Sequence, residues 1–327
     1  MTGPVARLLS PEEIAIRSGQ EPAFLRLPEP RTLFAEREMR LRQLAAGHAL
    51  RDYLLFVAEI CRAQHELACK LPAPHVPAAS VFERAAALSE PPLRASTFRR
   101  NDGWPSELHS LLALLKIDGP ARQVVRSLMQ ASDKAIEQQA DALLGNSATR
   151  VDVGTGPLIG AGLQLHFSRL VAESARAYEG MRGGVFGRVG DATICPCCGS
   201  RPTASVLRIG GAASGQRYLH CSLCQAEWHM VRIKCGRCEN TRGINFQQLE
   251  AATREDDASE PAAVRVECCP ECKHYLKLVA MDKDPNVEPV ADDLASLTLD
   301  LLAIESGLTR HGVNMLLLFA DDATSGE

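Results

Sequence analysis

Four Cys-x-x-Cys pairs lie between Cys195 and Cys272: Cys195/Cys198, Cys221/Cys224, Cys235/Cys238 and Cys269/Cys272. Two cysteines three positions apart on a tight turn present both thiolates to one ion, while backbone N–H groups hydrogen-bond the sulfurs. Two such turns complete a tetrahedron of sulfurs at about 2.3 Å from a metal, which suits zinc and a single rubredoxin-type iron alike. The eight cysteines therefore predict two all-thiolate sites with no ligand left over. Gly199, directly after the first pair, supplies the positive φ that such a knuckle commonly needs. Between the first two pairs, Val206–Ile209 and Arg217–His220 read as strands across a Gly-rich turn. That is how a zinc ribbon or rubredoxin-like unit is built, and it favours pairing 195/198 with 221/224 and 235/238 with 269/272. A cross-braced arrangement, first pair with third and second with fourth, satisfies the same spacing.

Thiol redox centres of the Cys-x-x-Cys type normally occur singly at a helix N-terminus after a strand. Here the pairs are flanked by turn or strand patterns instead, so metal ligation is the expectation. Cys197, inside the first knuckle, and Cys268, beside Cys269, are read as neighbours of ligands, because only 269/272 keeps the two-residue gap. As spare thiols they leave a sulfur-carrier or oxidoreductase role open. His220 and His229 flank the second pair but are not needed as ligands once eight thiolates are in place.

The remaining two cysteines, Cys61 and Cys69, lie in a first half rich in Ala, Leu, Arg and Glu. Apolar residues recur there at helical spacing. The pattern predicts helices over 31–45, from about Tyr53 to Ala68, and over 80–89, 106–116, 120–130 and 133–144. A further helix runs from Pro157 to about Tyr178, and Pro/Gly/Asp/Asn clusters separate the elements. After Gly180 the chain turns Gly-rich. Tyr275–Val279 is a further expected strand, residues 251–263 an exposed acidic loop, and Asp292 to about Gly307 a final helix with Asp292 or Asp293 favoured near its N-terminus. The expected class is α+β: an all-helical domain over 1–188, a tandem rubredoxin-like or zinc-ribbon-like domain over 189–285, and a helical C-terminal segment over 286–327.

No run of about 18 apolar residues occurs and the N-terminus lacks a signal-peptide core, which predicts a cytoplasmic chain without a membrane span. In a reducing cytosol clustered cysteines are more often ligands than disulfides. The net charge of −4 argues against nucleic acid as the main partner. Basic residues do exceed acids between Cys195 and Gly243, which keeps a nucleic-acid-binding zinc ribbon as the rival reading. Two motifs carry no chemistry. His65-Glu66-Leu67-Ala68-Cys69 imitates a metalloprotease helix, yet Cys61, His65 and Cys69 are read as core residues. Gly154-x-Gly156-x-x-x-Gly160-x-Gly162 lacks the Lys-Ser/Thr of a phosphate loop and is read as a helix start built for close packing. No acid/base or nucleophile constellation stands out, so no catalytic residue is assigned.

Several phrases together resemble the formate dehydrogenase accessory proteins called FdhE. They are Cys195-Pro-x-Cys-Gly-Ser-x-Pro202, Arg217-Tyr-Leu-His-Cys221-Ser-Leu-Cys224, Glu227-Trp-His-x-Val-Arg-x-Lys-Cys235, Tyr275-Leu-Lys, Asp284-Pro and Val290-Ala-Asp-Asp-Leu-Ala-Ser-Leu297. The resemblance implies a non-catalytic cytoplasmic assembly factor that contacts the catalytic (alpha) subunit of respiratory, molybdenum-containing formate dehydrogenases. It also implies two iron ions in rubredoxin-like sites, held by Cys195, Cys198, Cys221, Cys224, Cys235, Cys238, Cys269 and Cys272, with zinc the alternative. In the family Gly often follows the last pair; here Lys273 stands there, which makes the fourth knuckle the departure from pattern.

Overall fold

The computed structural model describes residues 22–100, 103–145, 151–181, 184–210, 213–249 and 262–317. Seven helices fill the first half: α1 (Pro30–Leu44), α2 (Arg51–Lys70), α3 (Ala79–Leu88), α4 (Trp104–Leu114), α5 (Pro120–Met129), α6 (Asp133–Leu144) and α7 (Gly156–Ala177). Pro at the first turn of α1, α4, α5 and α7 costs no hydrogen bond there and presets the helical φ. Ser132 caps α6 by accepting from Ala135 N at 3.3 Å.

Helix α7 is the axis of this half. Every residue from Gly156 to Val171 is buried, as expected of a helix surrounded on all sides. Its glycines are packing devices, as the sequence suggested. A Cβ on Gly160 would stand 2.4 Å from the Met315 carbonyl oxygen, and one on Gly162 would stand 2.8 Å from Leu108 Cδ1. Two buried polar residues of α7 share one partner: His166 Nδ1 and Arg169 Nη1 meet the Glu107 carboxylate at 3.0 and 2.8 Å.

Among the described residues, the strands of the second half and Leu25–Arg26 of the first form one eight-stranded sheet. Its strands are β1 (Leu25–Arg26), β2 (Pro202–Leu207), β3 (Arg217–Cys221), β4 (Glu227–His229), β5 (Asn245–Gln247), β6 (Val264–Cys268), β7 (His274–Ala280) and β8 (Thr309–Arg310). The order is β1-β4-β3-β2-β7-β6-β5, with β8 added beside β7. Two antiparallel three-stranded units, β4-β3-β2 and β7-β6-β5, join through the parallel β2–β7 pair, Ser205 opposite Leu278. Each unit carries one four-cysteine group.

The strand pattern expected over Glu227–Ile233 stops at His229. The Arg217 guanidinium takes the Val231 and Lys234 carbonyls at 3.2 and 2.8 Å and turns the chain away. The acidic loop expected at 251–263 falls almost wholly outside the described residues. The final helix is two helices, α8 (Pro289–Ala295) and α9 (Leu297–Glu305), broken at Ser296, whose hydroxyl donates back to the Asp292 carbonyl at 2.6 Å. Glu288 caps α8, accepting from Val290 N and Ala291 N, and Asp292 lies in the first turn as expected, its Oδ2 accepting from Glu288 N at 2.7 Å. Asp292 is also buried against Arg40 of α1 (2.7 Å), and Asp293 against Lys277 (3.3 Å) and Arg310 (2.7 Å). With Arg37–Glu288 at 2.8 Å, these pairs bind the C-terminal segment to both halves. Removing one partner of such a buried pair costs about 3–5 kcal/mol.

Candidate metal centres

All four Cys-x-x-Cys turns share one backbone plan. In each, the first cysteine's N–H donates to the carbonyl five residues on: Cys195 to Ser200 (2.9 Å), Cys221 to Ala226 (2.8 Å), Cys235 to Asn240 (2.8 Å) and Cys269 to His274 (3.0 Å). In each, the residue after the second cysteine is left-handed: Gly199 (φ 72°), Gln225 (65°), Glu239 (60°) and Lys273 (54°). Only the first is glycine. The departure at Lys273 thus changes the residue and not the turn. A side chain in this region costs about 1–2 kcal/mol, which the surrounding knuckle sustains three times. Backbone N–H groups also point at sulfur, Leu223 N to Cys221 Sγ and Arg237 N to Cys235 Sγ, both at 3.4 Å.

The turns gather in consecutive pairs. Cys195, Cys198, Cys221 and Cys224 form one group, and Cys235, Cys238, Cys269 and Cys272 the other; within each, all sulfurs lie within 4.8 Å of one another. Cross-group neighbours are 3.4–3.5 Å apart in the first (Cys198–Cys221, Cys195–Cys224) and 3.7–3.8 Å in the second (Cys238–Cys269, Cys235–Cys272). A tetrahedron with metal–sulfur bonds of about 2.3 Å has edges of about 3.8 Å, so both groups fit one ion each. Among the described residues these are the two groups of three or more ligand-type side chains that can share an ion. Cys61, His65 and Cys69 do not assemble: Cys61 is sealed in the core, where burial pushes its thiol up to about 12, and Cys69 is exposed.

The surroundings differ. The first group's cysteines are fully buried and belong to the same core as the helices. A strap between α3 and α4 closes over them: Leu93 N donates to the Cys197 carbonyl (3.0 Å) and Ala95 N to that of Cys198 (2.9 Å). Gln164 of α7 donates to the Ser222 carbonyl in the second knuckle at 2.8 Å. Beside that knuckle runs a buried polar chain. Gln225 Oε1 accepts from Arg37 (2.6 Å) and faces His220 Nε2 (3.1 Å), and His220 Nδ1 faces Glu227 (3.2 Å), which Arg208 Nε also meets (2.9 Å). Burial opposes ionisation of Glu227, but His220 and Arg208 outweigh it and hold the carboxyl down at about 2. None of these partners had a legible signal except His220.

In the second group Cys235 and Cys269 are buried, Cys272 is half-buried and Cys238 is exposed. Burial alone would raise the Cys269 thiol, yet the N–H groups of Cys272 and Glu271 and the neighbouring thiols bring it down to about 7. His311, a residue the sequence did not single out, lies buried beside this group, held down at about 4 first by burial and then by Arg201, Arg237 and His274. Neither spare thiol suits nucleophilic chemistry. Cys197 is fully enclosed, and burial, reinforced by Glu267, pushes Cys268 up to about 11.

Family models match the chain in three blocks: "FdhE, N-terminal" over residues 22–177, "FdhE, central domain" over 194–232 and "FdhE, C-terminal domain" over 233–317. The central block carries the first four-cysteine group and the C-terminal block the second. A protein FdhE homolog of Cronobacter sakazakii is 39% identical over 295 residues, covering 90% of each chain. The protein FdhE of Salmonella arizonae is likewise 39% identical over 295 residues, again 90% of each. The chain belongs to the FdhE family. The crystal structure of the FdhE protein from Pseudomonas aeruginosa superposes with a TM-score of 0.78 at 34% identity, covering 93% of this chain and all of that one. The fold is therefore that of the family across both halves. Among the described residues, no helix is long and apolar enough to cross a membrane.

Proposed function

We propose that this chain is a non-catalytic accessory factor for the maturation of respiratory, molybdenum-containing formate dehydrogenase, binding the enzyme's catalytic subunit in the cytoplasm. The observation that carries this reading is the family match over nearly the whole chain, with both four-cysteine groups intact within it. Cys195, Cys198, Cys221 and Cys224 would hold one ion and Cys235, Cys238, Cys269 and Cys272 a second, iron in the first instance and zinc as the alternative. An all-thiolate tetrahedron serves either metal, and metal binding at such knuckles is coupled to folding. The chain's own part is to deprotonate and orient the sulfurs with the knuckle N–H groups and to exclude water from the first group.

Metal analysis and the visible spectrum of anaerobically purified protein test the metal assignment. About two ions per chain are expected on the eight-ligand count, with rubredoxin-like colour for iron and none for zinc. Affinity capture with purified catalytic subunit tests the partner. A metal-loaded, folded protein that fails to retain the subunit overturns the accessory-factor reading.

A further inference from the structure

The second four-cysteine group sits in an unusual surface. Four large apolar side chains between residues 231 and 249 are exposed: Val231, Ile233, Phe246 and Leu249. Interleaved with them, Arg232, Arg237 and Arg242 are exposed as well. Arg265 lies over the Phe246 ring at 5.4 Å, and Arg232 is near enough for the two guanidinium charges to repel. Among the described residues, the acids of this region offset little of that charge. Glu239 is paired with Lys234 and Glu267 is buried against Arg217, leaving Glu271 and Asp282 against the arginines. In a chain of net charge −4 this is a local cationic patch.

Two further features mark the same place. Strand β5 ends the sheet order, and all three of its residues are exposed. A sheet edge of this kind accepts an added strand from a partner. Next to it, Cys238 is exposed and Cys272 half-buried. The first group shows what the fold does when a site is to be sealed: a strap, α7 and an apolar core enclose it.

From this we infer that the surface around Arg232, Arg237, Arg242 and Phe246 docks an acidic, partly apolar, extended segment of the catalytic subunit, which covers Cys238 and Cys272. The inference rests on the accessory-factor reading and names the face it would use. Carboxylates of the segment meet the guanidinium groups, its apolar side chains cover Phe246 and Ile233, and its backbone pairs with β5. Salt weakens such docking, since the charges sit at a solvated rim.

The test uses full-length, metal-loaded protein and purified catalytic subunit. The triple variant Arg232→Glu, Arg242→Glu, Arg265→Glu, with unchanged metal content and circular dichroism, is expected to bind about 30-fold more weakly. Gln247→Pro, aimed at the strand edge, is expected to weaken binding about 10-fold. Saturating subunit should slow the faster phase of metal release to a chromogenic chelator about 10-fold and leave the slower phase unchanged. Unchanged affinity of the triple variant, or a fast phase indifferent to the subunit, overturns the assignment of this face while the accessory-factor reading stands. Failure of the unsubstituted protein to bind the subunit overturns both. If single-stranded RNA binds the unsubstituted protein, is lost in the triple variant and displaces the subunit, the face belongs to nucleic acid.

Discussion

Cys195, Cys198, Cys221 and Cys224 are wholly shielded from solvent, whereas Cys238 is exposed and Cys272 half-buried in a group with the same turns and nearly the same sulfur spacing. Knuckle geometry and knuckle environment are therefore independent variables in this molecule. The first group is part of the helical core and is tied to it through Leu93, Ala95 and Gln164. The second is outside that core. Its neighbours are β5, β6, β7 and the returning C-terminal strand β8, whose Thr309 N donates to the Lys273 carbonyl at 2.8 Å. The same turn plan is thus enclosed by the helical core at one site and reaches solvent at the other.

Removing ligands should separate the two most sharply. Cys195→Ser with Cys198→Ser deletes half of a site embedded in the main core, and structural metal sites carry on the order of 10 kcal/mol of apparent folding free energy. That variant is expected to lose its cooperative thermal transition in circular dichroism. Cys235→Ser with Cys238→Ser is expected to keep helical ellipticity and lose one ion. Equal damage from both would erase the distinction.

Release kinetics sharpen it next. A chromogenic chelator should draw metal out in two phases, the second group's ion leaving at least about 10-fold faster, because the first requires local unfolding of packed structure. Ala95→Pro removes the N–H that holds the Cys198 carbonyl, costing about 1–3 kcal/mol locally, and should speed only the slow phase.

Acid gives a third, smaller contrast. Glu227 sits in the polar chain beside the first group, and its folded pKa of about 2 lies below the ordinary carboxyl value of 4.5. A depressed carboxyl stabilises the folded state above its unfolded pKa, and that contribution is lost as pH falls from about 4.5 through about 2. In chemical denaturation, Glu227→Gln should lower stability at pH 7 and flatten this part of the acid dependence. A variant as acid-sensitive as the parent over that window would remove Glu227 from the account.

The smallest effect concerns the turns themselves. Lys273→Gly relieves a left-handed side chain at φ 54°, at the expense of greater freedom in the unfolded chain. The net gain should be below about 1 kcal/mol, read as a slight rise in denaturant midpoint.

The helices of the first half were legible from apolar spacing and Pro/Gly punctuation, to within about two residues at most ends. The knuckles were legible from cysteine spacing, and the close-packing role of Gly160 and Gly162 from the lack of any phosphate-loop partner residue. Strands β5 and β6 were not, since short strands beside a charged loop leave little alternation to read. The break at Ser296 was hidden inside a continuous apolar pattern. Asp292 does lie in the first turn of α8, but the ion pairs of Asp292 and Asp293 were not legible, because their cations, Arg40, Lys277 and Arg310, are distant in sequence.

The sequence by itself determined the four cysteine pairs, the turn positions and the family phrases, because these depend on residues within a few positions of one another. Tertiary structure alone decided which group is sealed and which is open, because enclosure comes from partners far along the chain. Gln164 meets Ser222 and Leu93 meets Cys197 in the first group, and Gly160 brings α7 against Met315 of the returning C-terminal segment. No local pattern around a cysteine pair records which helix will fold back over it.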